Sequence, residues 1–205
     1  MPSSCAEPHW NQRGNGVLQV LFHRVSTMKR ITGLLLVLWA CCPITAATLR
    51  QLSMDQMTQS ATAIVRARVT GSSASLTGTT IYTHYQLQVS EVWKGVAASD
   101  VVVPGGVAGG YRQSFPGVPA LQVGSEYVLF LWISPSTGLT HLVGLSQGVF
   151  GVSAQTDGTI QASRPLIGEG MHDATGRVVN DHAVQMRLSD MKNQVSVTVS
   201  AGAAR

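Results

Sequence analysis

Between Tyr82 and Val92 the side chains alternate with a period of two: Tyr85, Leu87 and Val89 are separated by Gln86, Gln88 and Ser90. Successive strand residues face opposite ways, so this pattern fits a half-buried strand and no helix. The alternation slips at Glu91-Val92-Trp93, which predicts a bulge, and Lys94-Gly95 ends the run. Similar signals recur at short intervals. In Ala61–Val69, Val65, Ala67 and Val69 oppose Arg66 and Arg68, and a turn is expected at Gly71-Ser72-Ser73. Val101–Val103, Glu126–Trp132, Leu139–Leu145, Val149–Val152 and Thr159–Ala162 follow, the last two flanking an Asp157-Gly158 hairpin signal. No helical pattern between them is long enough for the crossover of a parallel sheet. The chain therefore reads as mainly β, a small barrel or sandwich. Two short helices flank it: one over 52–59 with Ser53 as N-cap, one over 189–196 behind Ser189-Asp190. The Gly/Pro-rich stretch 104–124 reads as a loop, 164–188 as an irregular segment and 197–205 as a frayed tail.

The N-terminal residues carry a different signature. Met28-Lys29-Arg30 is basic, Ile31–Ala40 is apolar, Pro43 breaks the run, and Thr45, Ala46 and Ala47 are small. Residues 28–47 thus read as a cleaved signal peptide, too short to span the ~30 Å hydrocarbon core comfortably. After cleavage no transmembrane span is expected, and the destination is the periplasm or the medium. Residues 1–27 fit no part of such a signal and read as an over-extended start, with Met28 the initiator. Leu38-Trp39-Ala40-Cys41 also resembles a lipoprotein processing box, which leaves membrane tethering through Cys41 as an alternative. Cys5, Cys41 and Cys42 all precede residue 48. The single domain expected over 48–205 is cysteine-free, so its stability comes from its core and not from disulfides or Cys-ligated zinc.

Charge excludes one class of partner. The 205-residue chain has 14 basic and 10 acidic residues, but four of the basic and one of the acidic lie in 1–47. From residue 48 onward 10 and 9 remain, scattered, with no basic stripe to neutralise successive phosphates. Nucleic acid is not an expected partner.

Residues 81–152 carry a resemblance. Tyr85-x-Leu87-x-Val89-x-Glu91-Val92-x-Lys94-Gly95, then Val101-x-Val103, then Val123-Gly124-x-Glu126-Tyr127-Val128-Leu129-Phe130 resembles the netrin/TIMP-like modules. Val143-Gly144-Leu145-Ser146-Gln147-Gly148-Val149-Phe150 is similar to an element of a group of uncharacterised exported bacterial proteins. The resemblance implies an OB-like barrel, closed or partly open, and an extracellular binding role. It does not carry over the inhibitory mechanism of that family. That mechanism needs an N-terminal cysteine on the catalytic zinc, and this chain has no cysteine after Cys42.

Three residue sets are candidates for chemistry. Gly144-Leu145-Ser146-Gln147-Gly148 matches G-x-S-x-G, and Asp173 or Asp181 with His182 completes the order of a serine hydrolase. The elbow of such enzymes runs strand, turn, helix, whereas Ser146 precedes another strand, Val149–Val152. Glu169, His172, Asp173, Asp181 and His182 bear imidazole and carboxylate groups of zinc-binding type, without the spacing that converges them. Tyr111, Arg112 and Phe115, amid glycines, are the residue types that anchor interfaces. The reading that follows is an exported, non-enzymatic binding or inhibitor-like module. It needs no cofactor, and an extracellular or envelope protein is its partner. The alternatives are a small secreted hydrolase using Ser146 and a lipidated envelope component.

Overall fold

The computed structural model describes residues 48–204. The expected signal peptide, the over-extended start and Cys41 lie outside the described residues. The architecture is mainly β, built on antiparallel pairing, with two helices.

The chain enters through β1 (Thr48–Arg50) and α1 (Met54–Ser60). Ser53 caps α1 as expected: its Oγ accepts from Gln56 N at 3.2 Å, while Gln56 Oε1 accepts from Ser53 N at 2.9 Å. This reciprocal box satisfies two amides that a helix start otherwise leaves open. The helix begins two residues later than expected because Ser53, its N-cap, is extended, and Leu52 N before it donates to Gln147.

β2 (Ala63–Thr77) and β3 (Thr80–Lys94) form a long hairpin. The turn expected at Gly71-Ser72-Ser73 is instead strand. Thr70 is an extra residue between the pairs Val69↔Leu87 and Gly71↔Gln86, and the chain reverses at Gly78, whose φ is +61°. A glycine inside a strand marks a bulge as readily as a turn. The bulge expected near Glu91 is present. Ser90 is extra between Arg66↔Glu91 and Ala67↔Val89, and Trp93 between Ile64↔Lys94 and Val65↔Val92.

Next come β4 (Asp100–Pro104), β5 (Gly106–Ala108), β6 (Tyr111–Gln113), β7 (Glu126–Ile133) and β8 (Thr140–Leu142). After a 3-10 turn at Leu145–Gly148 come β9 (Val149–Ala154) and β10 (Ile160–Arg164). β11 (Gly170–His172), β12 (Val178–Val179), β13 (Val184–Arg187) and α2 (Leu188–Ala203) complete the chain. The main sheet runs β13-β10-β9-β7-β2-β3-β4. β8 and β9 share one edge of β7, at Leu131–Ile133 and Tyr127–Leu129. Among the described residues no ladder joins β13 to β4, and β4 lies beside β8. The segment expected to be irregular, 164–188, contributes β11, β12 and β13; β11 and β12 form a small second sheet with β1, which runs parallel to β11, and β13 joins the main sheet.

Both faces of the central strands are covered. Val65, Ala67, Val69, Leu87, Val101, Leu129 and Leu131 pack into one core; Ile64, Val128, Phe130, Phe150 and Ala162 pack into another beneath Met57 of α1 and Met191 of α2. This double burial is why Val128–Leu131 reads as an unbroken apolar run and not as an alternation. α2 is longer than expected and starts at Leu188, with Arg187 as its cap residue and no side-chain cap. It continues to Ala203 instead of fraying at 197. Val195 and Val199 extend the stripe of Leu188 and Met191, and docking that stripe outweighs the poor helix propensity of β-branched residues.

On the outside of β2, Arg66 bridges its neighbours: Nη1 donates to Glu91 at 2.8 Å and Nε to Glu126 at 3.0 Å. Lys192 of α2 reaches the same Glu91 at 2.6 Å. Lys192 and then Arg66 hold the Glu91 carboxyl at about 2, below its ordinary 4.5. Between those values the unfolded chain binds the extra proton. The contribution of Glu91 is therefore complete above about pH 4.5 and lost as pH falls through about 2. The expected result for Glu91→Gln is lower stability at neutral pH, converging with the wild type near pH 2. Urea midpoints across that window test it, and parallel curves would refute it.

Candidate functional site

The stretch expected to be a loop, 104–124, begins instead as a hairpin. β5 and β6 pair as Gly106↔Gln113, Val107↔Arg112 and Ala108↔Tyr111 across a Gly109-Gly110 turn. Gln113 fixes the hairpin to the β2–β3 turn, accepting from Ile81 N and donating to Thr79 O, both at 2.7 Å. On the far side, a Cβ at Gly106 would collide with the Thr83 hydroxyl, so the glycine permits the close seating.

This seating leaves the outer side chains in water. Tyr111 is 69% exposed, Val107 56% and Phe115 40%, and Arg112 is exposed beside them. Arg112 is the sole charged residue of 104–124, and among the described residues it makes no ion pair. Arg112 and Phe115 line a shallow hollow of about 200 Å³ with Val103, Pro104 and Val118. Tyr111, Arg112 and Phe115 are each exposed; Arg112 and Phe115 line the same hollow, while Tyr111, next to Arg112 on β6, faces the other side of the hairpin. The segment expected to be a loop carries a hairpin.

Beyond Phe115 the chain is pinned at Gly117. Its N–H donates to Glu169 at 2.7 Å, and its carbonyl accepts from Ser146 N at 3.0 Å and Ser146 Oγ at 2.6 Å. Gly117 has φ +75°, and a Cβ there would sit 2.8 Å from Leu49 Cδ1. The G-x-S-x-G run is thus a brace. Ser146 holds the 114–125 segment. Gln147, 3% exposed, accepts from Leu52 N at 2.8 Å and donates to Arg50 O at 2.9 Å.

The hydrolase set is corrected accordingly. The Ser146 hydroxyl donates to a carbonyl and makes no hydrogen bond to His182 among the described residues. Asp181 is committed to Arg164 through a bidentate pair at 2.8 and 2.9 Å and also accepts from Ile167 N. Asp173 Oδ1 closes its own turn, accepting from Thr175 N, Thr175 Oγ1 and Arg177 N. Those bonds, that of Thr175 Oγ1 foremost, hold the Asp173 carboxyl below its ordinary range.

The metal set is corrected as well. Glu169 is occupied by Gly117, His172 sits in β11, and among the described residues no three His, Cys, Asp or Glu side chains gather around a common point. Asp173, Asp181 and His182 do share one feature, the wall of a cavity beneath α1. Sequence reasoning missed Arg164 and Gln147, whose roles depend on partners 17 and about 95 residues away. Their only local signal is a polar side chain within an apolar neighbourhood. His84 faces Asp100 on β4 at 3.5 Å and His141 stacks on Trp132, as cross-strand partners.

No helix among the described residues is long and apolar enough to cross a membrane. No protein-family model matches the chain, and a comparison with curated proteins finds no match.

Proposed function

We propose that this chain is an exported, non-enzymatic binding module whose contact surface is the exposed β5–β6 hairpin together with Phe115 just beyond it. One observation carries the reading. Tyr111, Arg112 and Val107 project into water from a hairpin that Gln113 fixes to the sheet, Phe115 is exposed just beyond it, and among the described residues Arg112 makes no ion pair. Exposed tyrosine and arginine on a rigid support supply contact area at little entropic cost, as interface anchors do. The partner is an extracellular or envelope protein, which accords with a leader over 28–47. Retention through a lipidated Cys41 is the alternative placement. The proposal includes an OB-like barrel, supported by the packing of edge strand β4 beside β8.

The test is site-specific photocrosslinking in the full chain, with the reactive group at Tyr111 and a control at Val178, which is 74% exposed on β12. A discrete adduct at Tyr111 that disappears with Arg112→Ala and Phe115→Ala supports the surface. Equal adducts from both positions, or none from Tyr111, overturn it.

A further inference from the structure

We propose that the cavity of about 530 Å³ beneath α1 binds a small molecule with an apolar body and a cationic head. It shares no lining residue with the hollow at Phe115, so this site stands apart from the hairpin surface. Leu52, Met54, Met57, Phe150, Val184 and Met186 supply its apolar wall. Unbranched, polarizable methionine side chains adapt to ligand shape, and three of these six residues are methionines. A volume of this size suits a small-ligand site, and its wall is mixed, with Gln51, Gln56, Gln194, Arg164, Asp173 and His182 among the polar residues beside the apolar ones.

Charge selects the head group. Arg164 and Asp181 both line the cavity, but they neutralise one another across two hydrogen bonds. Asp173 is then the one uncompensated formal charge on the wall, with His182 beside it in the lining. The three hydrogen bonds to Asp173 all fall on Oδ1, which leaves Oδ2 for a ligand donor. An ammonium group near Asp173 gains an ion pair, whereas a carboxylate there meets like charge.

The experiment uses the full chain labelled with ¹³C at the methionine methyls and three probes that differ only in head group: octylammonium, octanol and octanoate. Expected are saturable shifts at Met54, Met57 and Met186 with octylammonium, while Met171 and Met191, outside the cavity lining, stay in place. Octanol binds about threefold more weakly, the size of an exposed ion pair, and octanoate more weakly still. Asp173→Asn, which keeps the Oδ1 acceptor, brings octylammonium and octanol to equal affinity. Absence of shifts with all three probes overturns the cavity as a site. Octanoate or octanol binding as tightly as octylammonium overturns the cationic head, as does a preference that survives Asp173→Asn.

Discussion

Replacing Asp181 with alanine lowers the free energy of unfolding by about 3–5 kcal/mol, the cost of stranding one partner of a buried ion pair. The Arg164 side chain is 8% exposed and that of Asp181 2%, so little water reaches the guanidinium. Burial by itself pushes the Asp181 carboxyl up. The Arg164 hydrogen bonds and the Ile167 N–H outweigh it, and the carboxyl ends below its ordinary range. The pair joins the end of β10 to the strand-poor segment ahead of β13, and the same carboxylate holds Ile167 N at 2.8 Å. Arg164 Nε already lacks a hydrogen-bond partner, and besides Asp181 the guanidinium donates, among the described residues, only to His182 O at 3.4 Å. Denaturant unfolding measures the effect. The double variant Arg164→Met with Asp181→Leu, which removes both charges, regains most of the lost stability. A single variant within about 1 kcal/mol of wild type would show that the pair is solvated and not buried.

The second large effect is at Phe130. Phe130→Ala costs about 3–5 kcal/mol, from lost transfer free energy plus the cavity left behind. Phe130 is fully buried on β7, its ring 5.9 Å from that of Phe150, in the core that α1 and α2 cover. Two residues along the same strand, Trp132 is 42% exposed, and its aromatic contact among the described residues is with His141. Trp132→Ala therefore costs below about 1 kcal/mol, despite removing the larger ring. Urea midpoints at constant slope test the contrast. Equal losses at the two positions would mean that the helices do not close over Phe130.

Sequence legibility followed the range of the interaction. Ser53 is legible as an N-cap because its partner Gln56 lies within four residues, while the reciprocal bond from Gln56 shows only in the structure. The slip near Glu91 was also visible, because a bulge disturbs the alternation of its own strand. Gly71 and Gly78 are equally plausible turn glycines in isolation. Only the pairing of Ser72 with Tyr85 and of Ser73 with His84 makes the first a bulge and the second the reversal. The end of α2 was misplaced for a similar reason. Val195 and Val199 disfavour a helix locally and become part of one when the sheet supplies a surface to cover.

The candidate sites divide along the same line. The identities of Tyr111, Arg112 and Phe115 marked candidate anchor residues from composition alone, but their exposure depends on Gln113 reaching the β2–β3 turn. The Gly144–Gly148 run looked catalytic by spacing and is a brace by contact, since Ser146 and Gln147 spend their polar atoms on Gly117, Arg50 and Leu52. By itself, then, the sequence determined a mainly β chain with a capped entry helix and a cysteine-free domain, because periodicity, capping and residue counts are local properties. The tertiary structure alone decided which polar side chains are committed and which are free. A hydrogen bond between residues nearly a hundred positions apart leaves no trace in the spacing of either.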